Sequence, residues 1–158
     1  MILKDTPKEK VEVKDGLVFK HFKVVKKTYN KFWQYHYNQF QKEYGILPKL
    51  YECKNNLLVM EYIEGKTCLR HEFKMHEFIY RQHKIQMAFV EYSYKNKISF
   101  FHRDLTDNNI RVTPDGEWRI IEPDALDISK QLHQFSYYNM VNKPLGMTVD
   151  MVQWHVDS

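Results

Sequence analysis

The sequence predicts an α+β fold in two lobes: a small N-terminal antiparallel sheet carrying one helix, then a reduced, mainly helical C-terminal lobe. Three observations predict it. Apolar residues repeat with period two over about the first 25 residues, and the period lengthens to that of a helix from Tyr29. Two further strand-like runs follow that helix. Beyond Gly65 a stretch without Pro or Gly extends from Thr67 to about Tyr94, long enough for helix. A chain of 158 residues suits one modest domain built as two small lobes. Their expected extents are about 1–63 and about 66–158, joined across about 61–65.

Each element has a local reason. Lys10-Val11-Glu12-Val13-Lys14 alternates as a strand with one buried face, Asp15-Gly16 is a strong two-residue hairpin signal, and Leu17 to Phe22 resumes the alternation. Tyr29, Phe32, Trp33, His36, Tyr37, Phe40 and Tyr44 then fall on one helical face. Gly45 ends that helix and Pro48 lies beyond it. Such an aromatic face is read as core before it is read as a stacking platform. Strands are expected near Lys49–Cys53 and Leu57–Tyr62, joined by Lys54-Asn55-Asn56.

In the second lobe Thr67 is the expected N-cap of a helix reaching about Tyr94, with Ile85, Ala88, Phe89 and Tyr92 as its inward stripe. A hairpin centred on Pro114-Asp115-Gly116 leads into a strand over Trp118–Ile121. A helix is expected near Leu126–Met140, then Pro144 to Gly146 and a short tail.

Composition narrows the functional classes. Hydrophobic residues make up 43% of the chain, ample for a packed core. No apolar run approaches the roughly 20 residues that cross a membrane, and Met1-Ile2-Leu3-Lys4-Asp5 lacks the apolar core of a secretory signal. Cys53 and Cys68 are too few for a disulfide framework and lie in no metal-ligand spacing, so a reduced, cytoplasmic setting is expected. His71, His76 and His83 share no metal-binding motif. The net charge of +4 is uneven: Lys20, Lys23, Lys26, Lys27, Lys31 and Lys42 lie between Asp15 and Glu43, where there is no acid. A lysine-rich first lobe suits a solvated face, nucleotide phosphates or, less readily, nucleic acid.

One stretch carries specific chemistry: His102-Arg103-Asp104-Leu105-Thr106-Asp107-Asn108-Asn109, followed by Ile120-Ile121-Glu122-Pro123. The first segment fits H-R-D-L-x-x-x-N without insertion. Phosphoryl transfer needs a carboxylate to orient the attacking hydroxyl and an oxygen ligand for magnesium close by. The spacing of Asp104 and Asn109 supplies both from one loop.

On these residues the chain resembles the protein-kinase superfamily over roughly residues 10–125, and most resembles its reduced, atypical members of bacterial and phage type. The resemblance implies an ATP- and Mg²⁺-dependent phosphotransferase. Asp104 takes the place of the catalytic base, Asn109 that of a metal ligand, and His102 and Arg103 those of the loop's supports. Leu57-Leu58-Val59-Met60-Glu61-Tyr62-Ile63-Glu64-Gly65 looks like the strand and hinge that hold adenine, with Met60 behind it and Glu61, Tyr62 and Ile63 as the hinge. Glu122 stands where the family has its metal-binding aspartate, with Asp124 as a second carboxylate. Leu17-Val18-Phe19-Lys20 resembles the strand whose lysine meets the α and β phosphates, and Lys23 is the competitor.

The chain also departs from the family. There is no glycine-rich phosphate loop, so the turn Asp5 to Lys10 would cover the phosphates through its amides, the Thr6 hydroxyl and Lys8. The first helix offers only Glu43 or Gln39 as a partner for Lys20. Only 54 residues follow Asp104, too few for the family's peptide-binding platform. Thr106 replaces a lysine common in protein kinases, and Asp107 is open to magnesium, Arg103 or solvent. The expected acceptor is therefore a hydroxyl on a small molecule or on a docked partner rather than a generic peptide. The alternative is a pseudokinase, a binding or regulatory module without the chemistry.

Overall fold

An Asp-Gly turn organises the first sheet. Asp15 and Gly16 both have positive φ, 53° and 74°, the backbone that matches a two-residue turn to the twist of the strands it joins. It pairs β2 (Glu9–Lys14) with β3 (Leu17–Phe22) in the register Lys14↔Leu17 through Glu9↔Phe22. The computed structural model describes residues 1–24, 29–54, 56–103 and 105–129, which fall into two compact units divided between Glu64 and Gly65.

In the first unit, β1 (Ile2–Asp5), β2, β3, β4 (Leu50–Lys54) and β5 (Leu57–Glu61) form one antiparallel sheet in the order β1-β2-β3-β5-β4. Helix α1 (Lys31–Tyr44) lies between β3 and β4 in sequence. Its ends follow the local chemistry. The Asn30 side chain accepts a hydrogen bond from the Trp33 amide at 2.9 Å, a cap worth about 1 kcal/mol. Gly45 closes the helix at φ 65° and donates its amide to Gln41. The aromatic stripe is core: Tyr29, Trp33, Tyr37 and Phe40 are buried with Phe22, Leu47 and Leu58. Each such side chain contributes about 1.5–3 kcal/mol through burial, and the Tyr37 hydroxyl donates to the Pro48 carbonyl at 2.6 Å. The antiparallel sheet with one helix is the architecture expected from the sequence.

The second unit starts differently from the expectation. Thr67 is not a helix cap; Lys66–Thr67 form β6, paired with β8 (Ile110–Val112) as Lys66↔Val112 and Thr67↔Arg111. A single 3₁₀ turn, Arg70–Glu72, follows, and α2 begins only at Met75, running to Asn96. Backbone pairing with a strand over 40 residues away wins over local helix propensity here. The inward stripe holds: Ile85, Ala88, Phe89 and Tyr92 are all buried.

After α2, β7 (Ser99–His102) leads into the motif loop, and β8 and β9 (Trp118–Ile120) form the hairpin closed by the turn around Pro114-Asp115-Gly116. The expected helix from Leu126 is corrected. Leu126–Ser129 is β10, antiparallel to β7 from Leu126↔His102 to Ser129↔Ser99. Leu-Asp-Ile-Ser alternates with period two and places a strand beside the motif loop. The rest of that expected helix, to Met140, and Pro144 to Gly146 lie outside the described residues, as do Lys26, Lys27 and Asn55. Among the described residues, then, the second unit holds one α-helix and two small sheets, β6-β8-β9 and β7-β10. No helix there or in the first unit is long and apolar enough to cross a membrane, among the described residues.

Gly65 is required where it stands. Its φ is 142°, and a Cβ there would lie 2.1 Å from the Val112 carbonyl oxygen. Gly65→Ala is expected to cost at least about 1–3 kcal/mol from backbone strain alone, because the clash falls on the β6–β8 pairing. A urea melt checks this; an unchanged midpoint would contradict it.

Candidate active site

Lys20 is the most unusual side chain of the first unit. It lies mid-strand in β3 between Val11 and Leu58 and is only 4% exposed. It is therefore not the ordinary solvated strand lysine that its sequence context allowed. A buried ammonium is costly unless paired, and Glu9 Oε2 lies 3.5 Å from its Nζ while Glu9 Oε1 takes Lys4 at 2.5 Å. No motif marks Glu9 in the sequence, yet the hairpin register carries the signal. With Val11 opposite Lys20, Glu9 is two residues along the same face, a diagonal cross-strand neighbour. Lys23, the competitor, is exposed and bonded to Asp5 Oδ1 at 2.6 Å, which holds the Asp5 carboxyl below its usual range.

The turn before β2 is internally bonded. The Thr6 hydroxyl oxygen accepts from the amides of Lys8 at 3.3 Å and Glu9 at 3.2 Å, while Lys8 itself is exposed. At the other end of the sheet Met60 and Ile63 are buried, and Glu61 and Tyr62 are half-buried. The Glu61 carboxylate accepts the Lys49 amide at 3.1 Å, and the Tyr62 amide donates to Gly16 at 3.1 Å.

In the second unit the fold gathers three separated pieces of the motif. β7 ends at His102, which is 1% exposed and donates from Nε2 to the Glu122 carbonyl at 2.7 Å. A carbonyl only accepts, so the proton sits on Nε2. Arg103 follows; its amide donates to Ala125 at 2.9 Å and its guanidinium to the Asp124 carbonyl at 3.2 Å. Its Nε also pairs with Asp127 Oδ1 at 3.1 Å. Burial pushes the Asp127 carboxyl up and Arg103 pulls it back. Asp104 itself lies outside the described residues, while Leu105 beside it is 1% exposed.

Asn109 and Glu122 flank the open end of the β8–β9 hairpin. The ladder places Ile110 opposite Ile120, and one step further the Ile121 amide donates to the Asn109 carbonyl at 3.0 Å. Glu122 is the next residue, so a carboxamide and a carboxylate leave the same strand ends. Asp124 sits within a single 3₁₀ turn, Pro123–Ala125.

Asp107 is half-buried and turns to α2 and Arg70 rather than to Arg103. Gln82, 1% exposed on α2, donates from Nε2 to Asp107 Oδ1 at 2.8 Å, and Arg70 Nε lies 4.0 Å from Oδ2. Neighbouring Cys68 is buried, and burial pushes its thiol up to about 12, with the negative charges of Asp107 and Glu72 adding to the effect. Gln82, Arg70 and Asp127 were not legible as loop supports, because nothing local in their own segments marks them.

Magnesium takes oxygen ligands and needs only one or two protein carboxylates beside phosphate and water. Asn109 and Glu122 offer that donor chemistry. No group of three or more His, Cys, Asp or Glu able to hold a metal ion occurs among the described residues.

No protein-family model matches the chain, and no curated protein sequence matches it. Among solved structures, an ethanolamine kinase from Plasmodium vivax is similar with a TM-score of 0.48 and 11% identity, over 97% of this chain and 68% of that one. The choline kinase LicA from Streptococcus pneumoniae is similar with a TM-score of 0.46 and 12% identity, over 93% and 76% respectively. Likeness at this level carries no functional argument, which rests on the residues above.

Proposed function

We propose that the chain is a kinase-like phosphotransferase that uses ATP and Mg²⁺ to move a γ-phosphate onto a hydroxyl acceptor. The observation that supports it best is the meeting of His102, Asn109 and Glu122 around one hairpin end, although they are spread over 21 residues. Mg²⁺, when bound, neutralises the charge that develops on the phosphates. Asn109 and Glu122 hold it through side-chain oxygens, with Asp124 as a further carboxylate. Asp104 orients the acceptor hydroxyl and takes its proton. Buried Lys20 meets the nucleotide phosphates, Lys8 and Thr6 cover them from the turn before β2, and Met60, Glu61, Tyr62 and Ile63 receive the adenine. Positioning and fixed charge do nearly all the catalytic work in such a reaction.

The acceptor in this reading is a sugar, a lipid head group, another small hydroxyl compound, or a docked partner. Release of ADP on incubation with Mg²⁺-ATP and a panel of such compounds tests it. Magnesium-dependent release that rises with one acceptor is the expected result; release with none of them contradicts transfer to a small molecule.

A second reading, the pseudokinase, draws on the turn before β2. The amides of Lys8 and Glu9 are already taken by Thr6, so fewer donors remain for phosphates than a glycine-rich loop provides. Equal loss of partner binding in Asp104→Ala and Glu122→Ala, with no transfer by either or by the parent protein, would favour that reading.

A further inference from the structure

The proposed chemistry requires Asn109 to be held in place, and the groups that hold its turn lie outside the motif's fixed positions. Asp107–Asn109 form a single 3₁₀ turn, closed by the Asn109 amide donating to Thr106 at 3.0 Å. The N-terminal end of this turn has no side-chain cap, and its C-terminal end is closed by the Ile110 amide donating to the Asp107 carbonyl. A side-chain tie to α2 comes from the Asp107 carboxylate, whose Oδ1 accepts the Gln82 amide at 2.8 Å. Gln82 is 1% exposed and sits in the middle of α2. A primary amide so deeply buried is costly unless bonded, and a bond to a carboxylate is among the stronger kinds. On the other side Arg70, stacked over Phe78 at 4.9 Å, places its Nε 4.0 Å from Asp107 Oδ2. A third tie comes just after β6, where the Cys68 amide donates to the Ile110 carbonyl at 2.9 Å.

We infer that Gln82 and Asp107 are positioning residues: a clasp between a buried amide and a half-buried carboxylate that fixes the turn presenting Asn109. This rests on the phosphotransferase reading above. Asp107 is two residues from Asn109, so the clasp sets where the Asn109 side chain leaves the backbone. Misplacement of a reacting or metal-holding group by about 1 Å costs as much as a hundredfold in rate. The clasp explains why a carboxylate in the motif loop faces the α2 amide and the Arg70 guanidinium.

An exchange of partners tests this. Gln82→Glu sets two carboxylates against each other and opens the clasp. Asp107→Asn keeps an acceptor for Gln82. The double variant, Gln82→Glu with Asp107→Asn, restores the hydrogen bond with donor and acceptor reversed. Amide hydrogen exchange at Asn109 and Ile121, read by NMR, reports the turn directly and needs no activity. Gln82→Glu is expected to speed exchange at Asn109 by about tenfold, the scale of one lost hydrogen bond, and the double variant to restore it. In turnover, Gln82→Glu is expected to raise the half-saturating Mg²⁺ concentration by a similar factor with nucleotide KM unchanged, again rescued by the double variant.

Unchanged exchange in Gln82→Glu, or no rescue by the double variant, would overturn the clasp. Restored exchange with Asp107→Asn and the double variant both inactive would also overturn it, because Asp107 would then act through its own charge on metal or substrate. A parent protein without turnover would count against the phosphotransferase reading, while the exchange measurements still decide the clasp.

Discussion

Asp104→Ala is expected to lower phosphate transfer by on the order of 10²- to 10⁴-fold, the range of a positioned general base, and to leave nucleotide affinity nearly unchanged. The two effects separate because the residue's proposed partner is the acceptor hydroxyl, not the nucleotide. The neighbours of Asp104 are firmly held: Arg103 by its amide to Ala125 and its guanidinium to Asp124 and Asp127, Leu105 by burial. An alanine between them should therefore remove a carboxylate without collapsing the loop. Transfer rates with saturating acceptor, together with ATP titration calorimetry, check both halves. Equal loss of binding and transfer would instead mean that the substitution disrupts the loop.

Phe100→Ala carries the largest expected cost in stability, about 3–5 kcal/mol for a buried phenylalanine. Phe100 has no exposed surface, and its ring lies 5.6 Å from Phe89 and 5.0 Å from Tyr92 on α2. Its amide and carbonyl are both bonded to the Ser93 hydroxyl at 3.0 Å. It also stands opposite Ile128 in the β7–β10 pair. One side chain thus joins α2, β7 and β10, and β7 delivers His102 to the motif loop. Domains of this size are stable by only about 5–15 kcal/mol, so the variant should unfold at markedly lower urea. A loss below about 1 kcal/mol, no more than an average point substitution costs, would contradict this packing.

The parts legible in the sequence are those whose signal is local. Asp15-Gly16 fixed a hairpin because the required positive φ values suit those residues, and the α1 stripe was readable because six aromatic positions from Phe32 to Tyr44 share one helical face. The motif loop was readable because its spacing is chemical. What was missed is set by distant pairing. β6 is two residues long, too short for any period, and exists because β8 lies beside it. β10 was read as helix although its alternation was present, because four residues cannot outweigh a longer helical pattern. Glu9 was recoverable from the hairpin register, whereas Gln82 reaches Asp107 only once α2 is packed. Asp107 was open to magnesium, Arg103 or solvent for the same reason: Gln82 and Arg70, which lie beside it, are 25 and 37 positions away in sequence.

Thermal unfolding with and without Mg²⁺-ATP, on the parent protein and on Glu122→Ala, tests the central claim most directly. A ligand that binds only the folded state adds roughly 2.7 kcal/mol of apparent stability at a hundred times its dissociation constant. The account predicts a magnesium-dependent rise in Tm for the parent protein that shrinks in Glu122→Ala. No rise at millimolar ATP, or an equal rise in both proteins with and without Mg²⁺, would contradict it.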